Sequence, residues 1–508
     1  MLGRVGRAGG RGSGRRRVRV AVIGAGFGGI AAAVKLRRRT GAEVVIFEQS
    51  SGVGGTWFDN RYPGCEVDVP SHAYSFSFLR YDWPRTHATQ PELLAYVNEV
   101  VDRFGLRPLL RLGTKVDDLR WEEETRSYRL RTAAGEEHTF DVVITALGLL
   151  SNPRYPSWPG LDEFTGPVFH TSRWEPGHDL TGKRVAVVGT GSTAAQVVPA
   201  VAAAAGRLYV FQREPGWVEP KLERAFTARE RAVYRAVPLA QKLHRAYLFH
   251  LGARRFKGYD VSSSTQARMR QRCTDFITST VDDPAVAAAL TPAYPWGCKR
   301  PILASTYYET FNRPTVELVP HEVVGMTPAG IVDATGTERE IDVLIMSTGF
   351  QPTRFLASLD VKGLDGRSIH DAWAERASAY LGVTIAGFPN LFVLYGPNTN
   401  GGVSIIAQLE RQAELAVRWV RALERRPGAA VHTDPAAQAR YVRWIDRQLA
   451  TRASAMEAGC HNYYHAESGA NVTQWPGTHL RYLVMTRLLG RHGIHLGGRR
   501  SLAEKGRR

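Results

Sequence analysis

Two strand–glycine–helix units constrain what this chain can fold into more than any other feature. Residues 18–23, VRVAVI, are a β-branched run of strand length that leads straight into Gly24-Ala25-Gly26-Phe27-Gly28-Gly29 and then the Ala-rich stretch 30–39. This is G-x-G-x-x-G in the context it requires. Gly24 permits the tight turn, Gly26 lets backbone approach a pyrophosphate, and Gly29 lets the helix pack close to the strand, while free N–H groups at the helix N-terminus face the anion. The strand EVVIFE then ends at Glu48, and an acid about 20 residues past the glycines at a strand end is where a ribose hydroxyl is bound. A glycine turn can be purely structural, but strand, helix and acid together point to a dinucleotide.

The pattern recurs. RVAVV (184–188) precedes Gly189-Thr190-Gly191-Ser192-Thr193-Ala194, followed by the helical AAQVVPAVAAA and a strand, LYVFQ, that ends in Arg213. An acid repels the extra phosphate of a phosphorylated ribose, whereas an arginine grips it with a planar fork. The first unit therefore suits an adenine dinucleotide with free ribose hydroxyls, such as FAD. The second suits NADPH, with Thr190, Gly191, Ser192, Thr193, Gln196 and Arg213 as its binding set. Glu214 is an awkward neighbour for a phosphate, and Lys299 can supply a second cation.

Two further strands, FDVVITALG (140–148) and IDVLIMSTGF (341–350), each finish in a small-residue turn, as where a chain crosses between two dinucleotide domains. The expected class is α/β, with two Rossmann-like domains and a helical insertion over 221–296, where ARERAVYRAVPLAQKLHRAYLFHL has helical periodicity and strand signals are lacking. Both domains are then discontinuous. The FAD-binding domain takes 18–150 and 351–490, the NADP-binding domain takes 151–220 and 297–350, and a basic arm (1–17) and a basic tail (491–508) flank them.

The net charge points elsewhere at first sight. A formal +18 on 508 residues would by itself suggest a polyanionic partner. Residues 1–19, however, hold seven arginines and no acid, and residues 487–508 hold seven basic groups against Glu504, so the two ends carry 13 of the 18 charges. The first 17 residues are too polar to bury and lack the apolar middle of a secretory signal. No run of 18 apolar residues occurs, so no membrane span is expected. The four cysteines (65, 273, 298, 460) are scattered. That spacing offers neither a metal knuckle nor a redox pair and fits a reducing, cytoplasmic setting.

Between the two glycine motifs lies Phe164-x-Gly166-x-x-x-His170-x-x-x-Trp174. It resembles the fingerprint of Baeyer–Villiger monooxygenases, flavin enzymes that turn ketones into esters or lactones. Glu175 stands where that family usually has Pro or Asp, and the related N- or S-oxygenating flavin monooxygenases typically end the motif in Tyr. Within the family His170 is expected to be conformational rather than to transfer a proton. The run from Gly54 to Gly64, with Asp68 and Tyr74 beyond it, is similar to the family's flavin-side loop, which implies that Thr56, Trp57, Asp59, Asp68 and Tyr74 contact FAD. Pro295 to Pro301 resembles its Lys-Arg-Pro element. That implies Arg300 at the flavin and at NADP, Asp68 beside it, and Lys299 near the NADPH phosphate. Residues 387–398 resemble the family's return strand to FAD and residues 460–477 its C-terminal region, with Tyr463 where the family commonly has a Trp bordering the nicotinamide ribose.

The resemblance implies that NADPH reduces FAD, that O₂ adds at the flavin 4a carbon, and that the resulting peroxide attacks a ketone. A guanidinium keeps its proton at working pH, so Arg300 would act as a fixed cation for the developing oxyanion, oriented by Asp68 through a charge-assisted hydrogen bond. The expected partners are a small ketone and O₂, with no specific nucleic acid and no metal. Four other readings stay open at this point: N- or S-oxygenation, uncoupled NADPH oxidation, a flavin disulfide reductase, which needs a cysteine pair beside the flavin, and a basic nucleic-acid-binding protein with vestigial dinucleotide folds.

Overall fold

The computed structural model describes residues 17–175, 177–455 and 462–497. Of the expected arm (1–17) and tail (491–508), residues 1–16 and 498–508 lie outside the described residues, as does Cys460; the tail's first part is instead folded, Ile494–Gly497 pairing antiparallel with Ala430–Thr433. Strands β1 (Arg19–Ile23), β2 (Glu43–Phe47), β3 (Leu110–Arg111), β4 (Val142–Thr145) and β10 (Leu391–Val393) form a five-stranded sheet in the order β10-β4-β1-β2-β3. Strands β5 (Val168–His170), β6 (Arg184–Val188), β7 (Arg207–Phe211), β8 (Val316–Val319) and β9 (Val343–Met346) form a second, in the order β8-β7-β6-β9-β5. Every pairing in both is parallel. Parallel sheets are covered on both faces, which is why β1 and β6 read as unbroken apolar runs rather than alternating ones.

The two sheets share one logic. The strand that precedes each glycine motif lies between its own successor and a strand from much later in the chain, β4 or β9, so strand order reverses beside it; ligands bind outside the carboxyl ends at such a point. Gly24 (φ +104°) and Gly189 (φ +120°) make the two turns. A Cβ on Gly24 would lie 2.5 Å from the carbonyl oxygen of Ala146, and one on Gly189 would lie 2.3 Å from that of Ser347. Each first glycine thus presses on the residue that follows the crossing strand, which explains why both crossing strands end in small residues.

Helix α1 (Phe27–Arg39) and helix α2 (Ser192–Ala202) start at these turns. The chain leaves the first sheet after β4, builds the second, and returns at β10. Helix α7 (Ile405–Arg425) then packs on α1, with Leu409 against Gly28 and Lys35 paired to Glu414 at 3.1 Å. Between β7 and β8 run α3 (Ala228–Ala236), α4 (Pro238–Arg255), α5 (Ser264–Thr280) and α6 (Pro284–Ala289). The helical run read over 228–251 is two helices, because Pro238 has no N–H for the preceding turn and opens α4 instead. Two small sheets add to the expected elements, an antiparallel one over 323–340 and one over 116–140 whose antiparallel strands are joined in parallel by Asp360–Lys362. Among the described residues no helix is long and apolar enough to cross a membrane.

Candidate active site

The site is assembled around the two switch points. At the first, α1 begins at Gly26 with no side chain capping its N–H groups. A Cβ on Gly29 would lie 1.8 Å from the carbonyl oxygen of Gly24, whereas one on Gly26 would meet only the backbone of Gly54 and Gly55. Glu48 follows β2, is 6% exposed, and accepts the N–H of Ala25 at 2.7 Å and of Ser50 at 2.8 Å. It therefore fixes the glycine turn while presenting an acid beside it. At the second, α2 begins at Gly191, again uncapped by a side chain, and nothing lies within 4 Å of a Cβ built there. Ala194 fills the third glycine's place and is fully buried. Uncapped helix N-termini with open backbone in front fit the pyrophosphates of FAD and NADP.

The flavin-side residues follow Gly54 and Gly55, both at positive φ (+133° and +57°), on the short helix Thr56–Asp59. Trp57 donates from Nε1 to the Tyr74 hydroxyl at 3.1 Å. Asp59 faces Arg173 at 3.7 Å; burial raises its carboxyl pKa, against the pull of that arginine. Arg300 donates from Nε (3.0 Å) and Nη2 (2.5 Å) to the same oxygen of Asp68. Burial alone would raise the Asp68 carboxyl, but the charge and hydrogen bonds of Arg300 outweigh it and hold the group below its ordinary value. The same pairing raises Arg300.

Both side chains face a cavity of about 480 Å³, lined also by Pro301, Asn400, Trp475 and, from α4, Leu248 and Arg255. Arg300 keeps 44% of its side-chain surface accessible, so it can meet a ligand while paired. Tyr74, Tyr259 and Tyr395 stand near it with hydroxyl pKa values raised by burial, which makes them neutral donors at working pH. A second groove of about 730 Å³ between helices α8 (Pro435–Leu449) and α9 (His479–Leu488) contains neither Arg300 nor Asp68.

On the second dinucleotide side, the Thr190 hydroxyl donates to the backbone oxygen of Glu214 at 2.7 Å, and Ser192 and Thr193 lie in the first turn of α2. Arg213 is exposed and has no ion pair among the described residues. Lys299 differs: its ammonium is paired with the carboxylate of Glu214 and lies 4.8 Å from the Tyr294 ring centroid. Gln196 differs too. Its amide accepts from the Tyr62 hydroxyl at 2.9 Å and donates to the backbone oxygen of Glu66 at 2.9 Å, so it ties α2 to the loop that leads to Asp68.

The fingerprint residues are pins. Phe164 is buried in the second sheet's core, and a Cβ on Gly166 would sit 2.4 Å from the carbonyl oxygen of Asp342. His170, at the end of β5, accepts the Ser172 N–H on Nδ1 at 3.1 Å, which leaves Nε2 to donate to the Gly349 carbonyl at 3.1 Å. Burial lowers its pKa. Trp174 packs edge-on against Phe169, with centroids 4.9 Å apart.

Two functional contacts carry no sequence signal. Arg173, inside the fingerprint but not one of its fixed positions, reaches Asp59. Lys221, 3% exposed, lies 2.5 Å from Glu66 and 3.1 Å from Glu223. Cys65 and Cys273 are free and buried, but Cys298 is disulfide-bonded, which departs from the expectation of scattered cysteines in a reducing setting. Among the described residues no group of His, Cys, Asp or Glu is placed to hold a metal.

Comparison with known proteins agrees with this geometry. Residues 18–238 match the pyridine nucleotide-disulphide oxidoreductase family. A Baeyer–Villiger monooxygenase of Streptomyces coelicolor is 41% identical, the alignment covering 92% of this chain and 91% of the relative; one of Pseudomonas aeruginosa is 37% identical over 95% and 92%. The solved structure of an oxidized steroid monooxygenase bound to NADP superposes with a TM-score of 0.84 at 32% identity, over 95% of this chain and 99% of that one. With identity and fold both shared over nearly the full length, the chain belongs to the Baeyer–Villiger monooxygenases.

Proposed function

We propose that this enzyme uses FAD and NADPH to convert a ketone into an ester or lactone, and that Arg300, held by Asp68, is the cation at which the reaction's negative charge is stabilised. The balance is ketone, O₂, NADPH and a proton giving ester, NADP⁺ and water. FAD, when bound, supplies the redox chemistry, taking a hydride from NADPH and activating O₂. The chain's own residues do the rest. The uncapped starts of α1 and α2 bind the two pyrophosphates, Glu48 takes a ribose hydroxyl on the FAD side, and Arg213 takes the 2′-phosphate of NADPH. Trp57, Asp59 and Tyr74 shape the wall of the flavin site. Arg300 cannot act as a base, since it holds its protons at any working pH; it presents fixed N–H donors to a developing oxyanion.

The observation that carries this reading is the Arg300–Asp68 pair facing a cavity of about 480 Å³. The test is product analysis with the FAD-loaded protein, NADPH and, side by side, a cyclic ketone and a thioether. Lactone formation is the expected result; sulfoxide as the sole product would assign the site to electrophilic oxygenation instead.

A further inference from the structure

Helix α4 has no buried residue along its 18 positions, although it carries four leucines, a tyrosine and a phenylalanine. It has two working faces. His244, Leu248, Gly252 and Arg255 line the active-site cavity. On the opposite face Leu239, Leu243 and Tyr247 follow one another at four-residue spacing and are 60%, 61% and 58% exposed. A helix on a globular surface turns charged or polar residues to water on its outer face, and this one turns apolar ones. Val233 and Val237, just before it, are exposed as well. On its flank Phe249 packs on His479, ring centroids 5.2 Å apart, at the start of helix α9 (His479–Leu488). There Leu480, Val484 and Leu488 form a second exposed row at the same spacing.

The charges carried by these two helices have one sign. Neither α4 nor α9 contains an aspartate or glutamate. Arg245 and Arg255 point inward, to the carbonyls of His72 and Ser75 and to Glu219. Lys242, Arg254, Arg481 and Arg487 are exposed.

We propose that the outer face of α4, continued by α9, docks on the surface of an anionic lipid bilayer. The leucines and Tyr247 would enter the headgroup boundary and the exposed cations would meet lipid phosphates, as interfacial amphipathic helices do. A second copy of the chain is the weaker occupant, because two such faces would set like charges against each other. Since α4 also walls the cavity, docking would leave about one helix diameter, roughly 10 Å, between lipid and the site. That consequence rests on the ketone reading; the docking does not.

The test is co-sedimentation of the full-length, FAD-loaded protein with vesicles of phosphatidylcholine alone and of phosphatidylcholine mixed with phosphatidylglycerol. Binding to the mixed vesicles only is expected. The variant Leu239→Gln/Leu243→Gln/Tyr247→Ser should lose about tenfold or more in partitioning, and Leu243→Gln alone about threefold, with FAD content and thermal midpoint unchanged. Both variants keep the basic chain ends, so undiminished binding by them would assign lipid affinity to those ends and overturn the proposal. So would a wild type that ignores the mixed vesicles at low salt, or a dimer in sedimentation velocity that the triple variant abolishes.

Discussion

A single carboxylate oxygen receives both donors of Arg300, so the position of the proposed catalytic cation is set by a residue 232 positions away in sequence. Arg300→Ala should retain FAD and lose ester formation by about 10²–10³-fold, the usual loss when a donor to a developing oxyanion is removed. Arg300→Lys should not restore the rate, because a point charge cannot keep both bonds to Asp68 and still face a substrate. Asp68 has a folded pKa below its ordinary 3.8, so the pair's contribution is complete above about pH 4 and fades only as pH falls through the lower folded value. Asp68→Asn should therefore leave the neutral limb of the pH–rate profile in place while lowering the rate; a new inflection near neutrality would contradict that. On the NADP side, Glu214 already holds Lys299. Glu214→Gln frees that ammonium and should lower KM for NADPH relative to NADH by roughly tenfold, the worth of one charge-assisted hydrogen bond. Arg213→Ala should move the ratio the other way, and an unchanged ratio in both variants would place the 2′-phosphate elsewhere. Arg300 and Asp68 are legible in the sequence only through family motifs. The Lys299–Glu214 pair is hidden because nothing in either local sequence says that the two segments meet.

Elements were far more legible than contacts between them. The two glycine motifs announce a strand, a turn and a helix each, because the backbone itself demands glycine: the Cβ of an alanine at position 29 would fall 1.8 Å from a carbonyl oxygen. Gly29→Ala should accordingly yield apoprotein or unfolded chain, while Gly26→Ala, whose Cβ meets backbone no closer than 3.6 Å, should fold and bind FAD more weakly. Absorbance of bound flavin separates the two outcomes. The fingerprint is legible as a pattern and opaque as physics until its partners are seen. His170 joins the ends of β5 and β9 through Gly349, whose carbonyl also accepts the Arg154 N–H at 2.8 Å, so His170→Ala should lower stability by only about 1 kcal/mol, the net worth of one hydrogen bond, without changing the pH dependence of turnover. A histidine that transferred protons would change it. The break at Pro238 follows from the missing N–H, whereas the small sheets over 116–140 and 323–340 are illegible because short strands with charged residues carry little periodic signal.

Across the whole molecule, turnover depends on two sheets held in fixed relation, and the connections between them are polar. Gln196 with Tyr62 and Glu66, Lys221 with Glu66, Arg173 with Asp59, Arg231 with Asp82, and Arg300 with Asp68 all tie the loops after the first glycine motif to the second half of the fold. Apart from Arg300 with Asp68, which the family resemblance implies, none of these could be read from one sequence, since each joins segments with no local reason to pair. Two histidines lie in this junction. Burial first, with His244 beside one and Lys221 beside the other, lowers His72 and His87 to about 4. His432 and His479, outside it, are lowered to about 4 by burial as well. Folding keeps all four neutral, whereas the unfolded chain protonates them near their ordinary 6.5. Their contribution to stability is therefore fully present above about pH 6.5 and is lost as pH falls towards 4, by about 1.4 kcal/mol per pH unit for each residue. The thermal midpoint should accordingly drop steeply between about pH 7 and pH 5, well above the range where carboxylates titrate. His87→Gln and His432→Gln should each flatten that slope by one proton's share. His87→Gln alone should also change NADPH turnover, because only His87 belongs to the junction that keeps Asp68 under Arg300. A midpoint that stays level over this interval, or equal kinetic effects of the two variants, would detach acid sensitivity from the junction between the sheets.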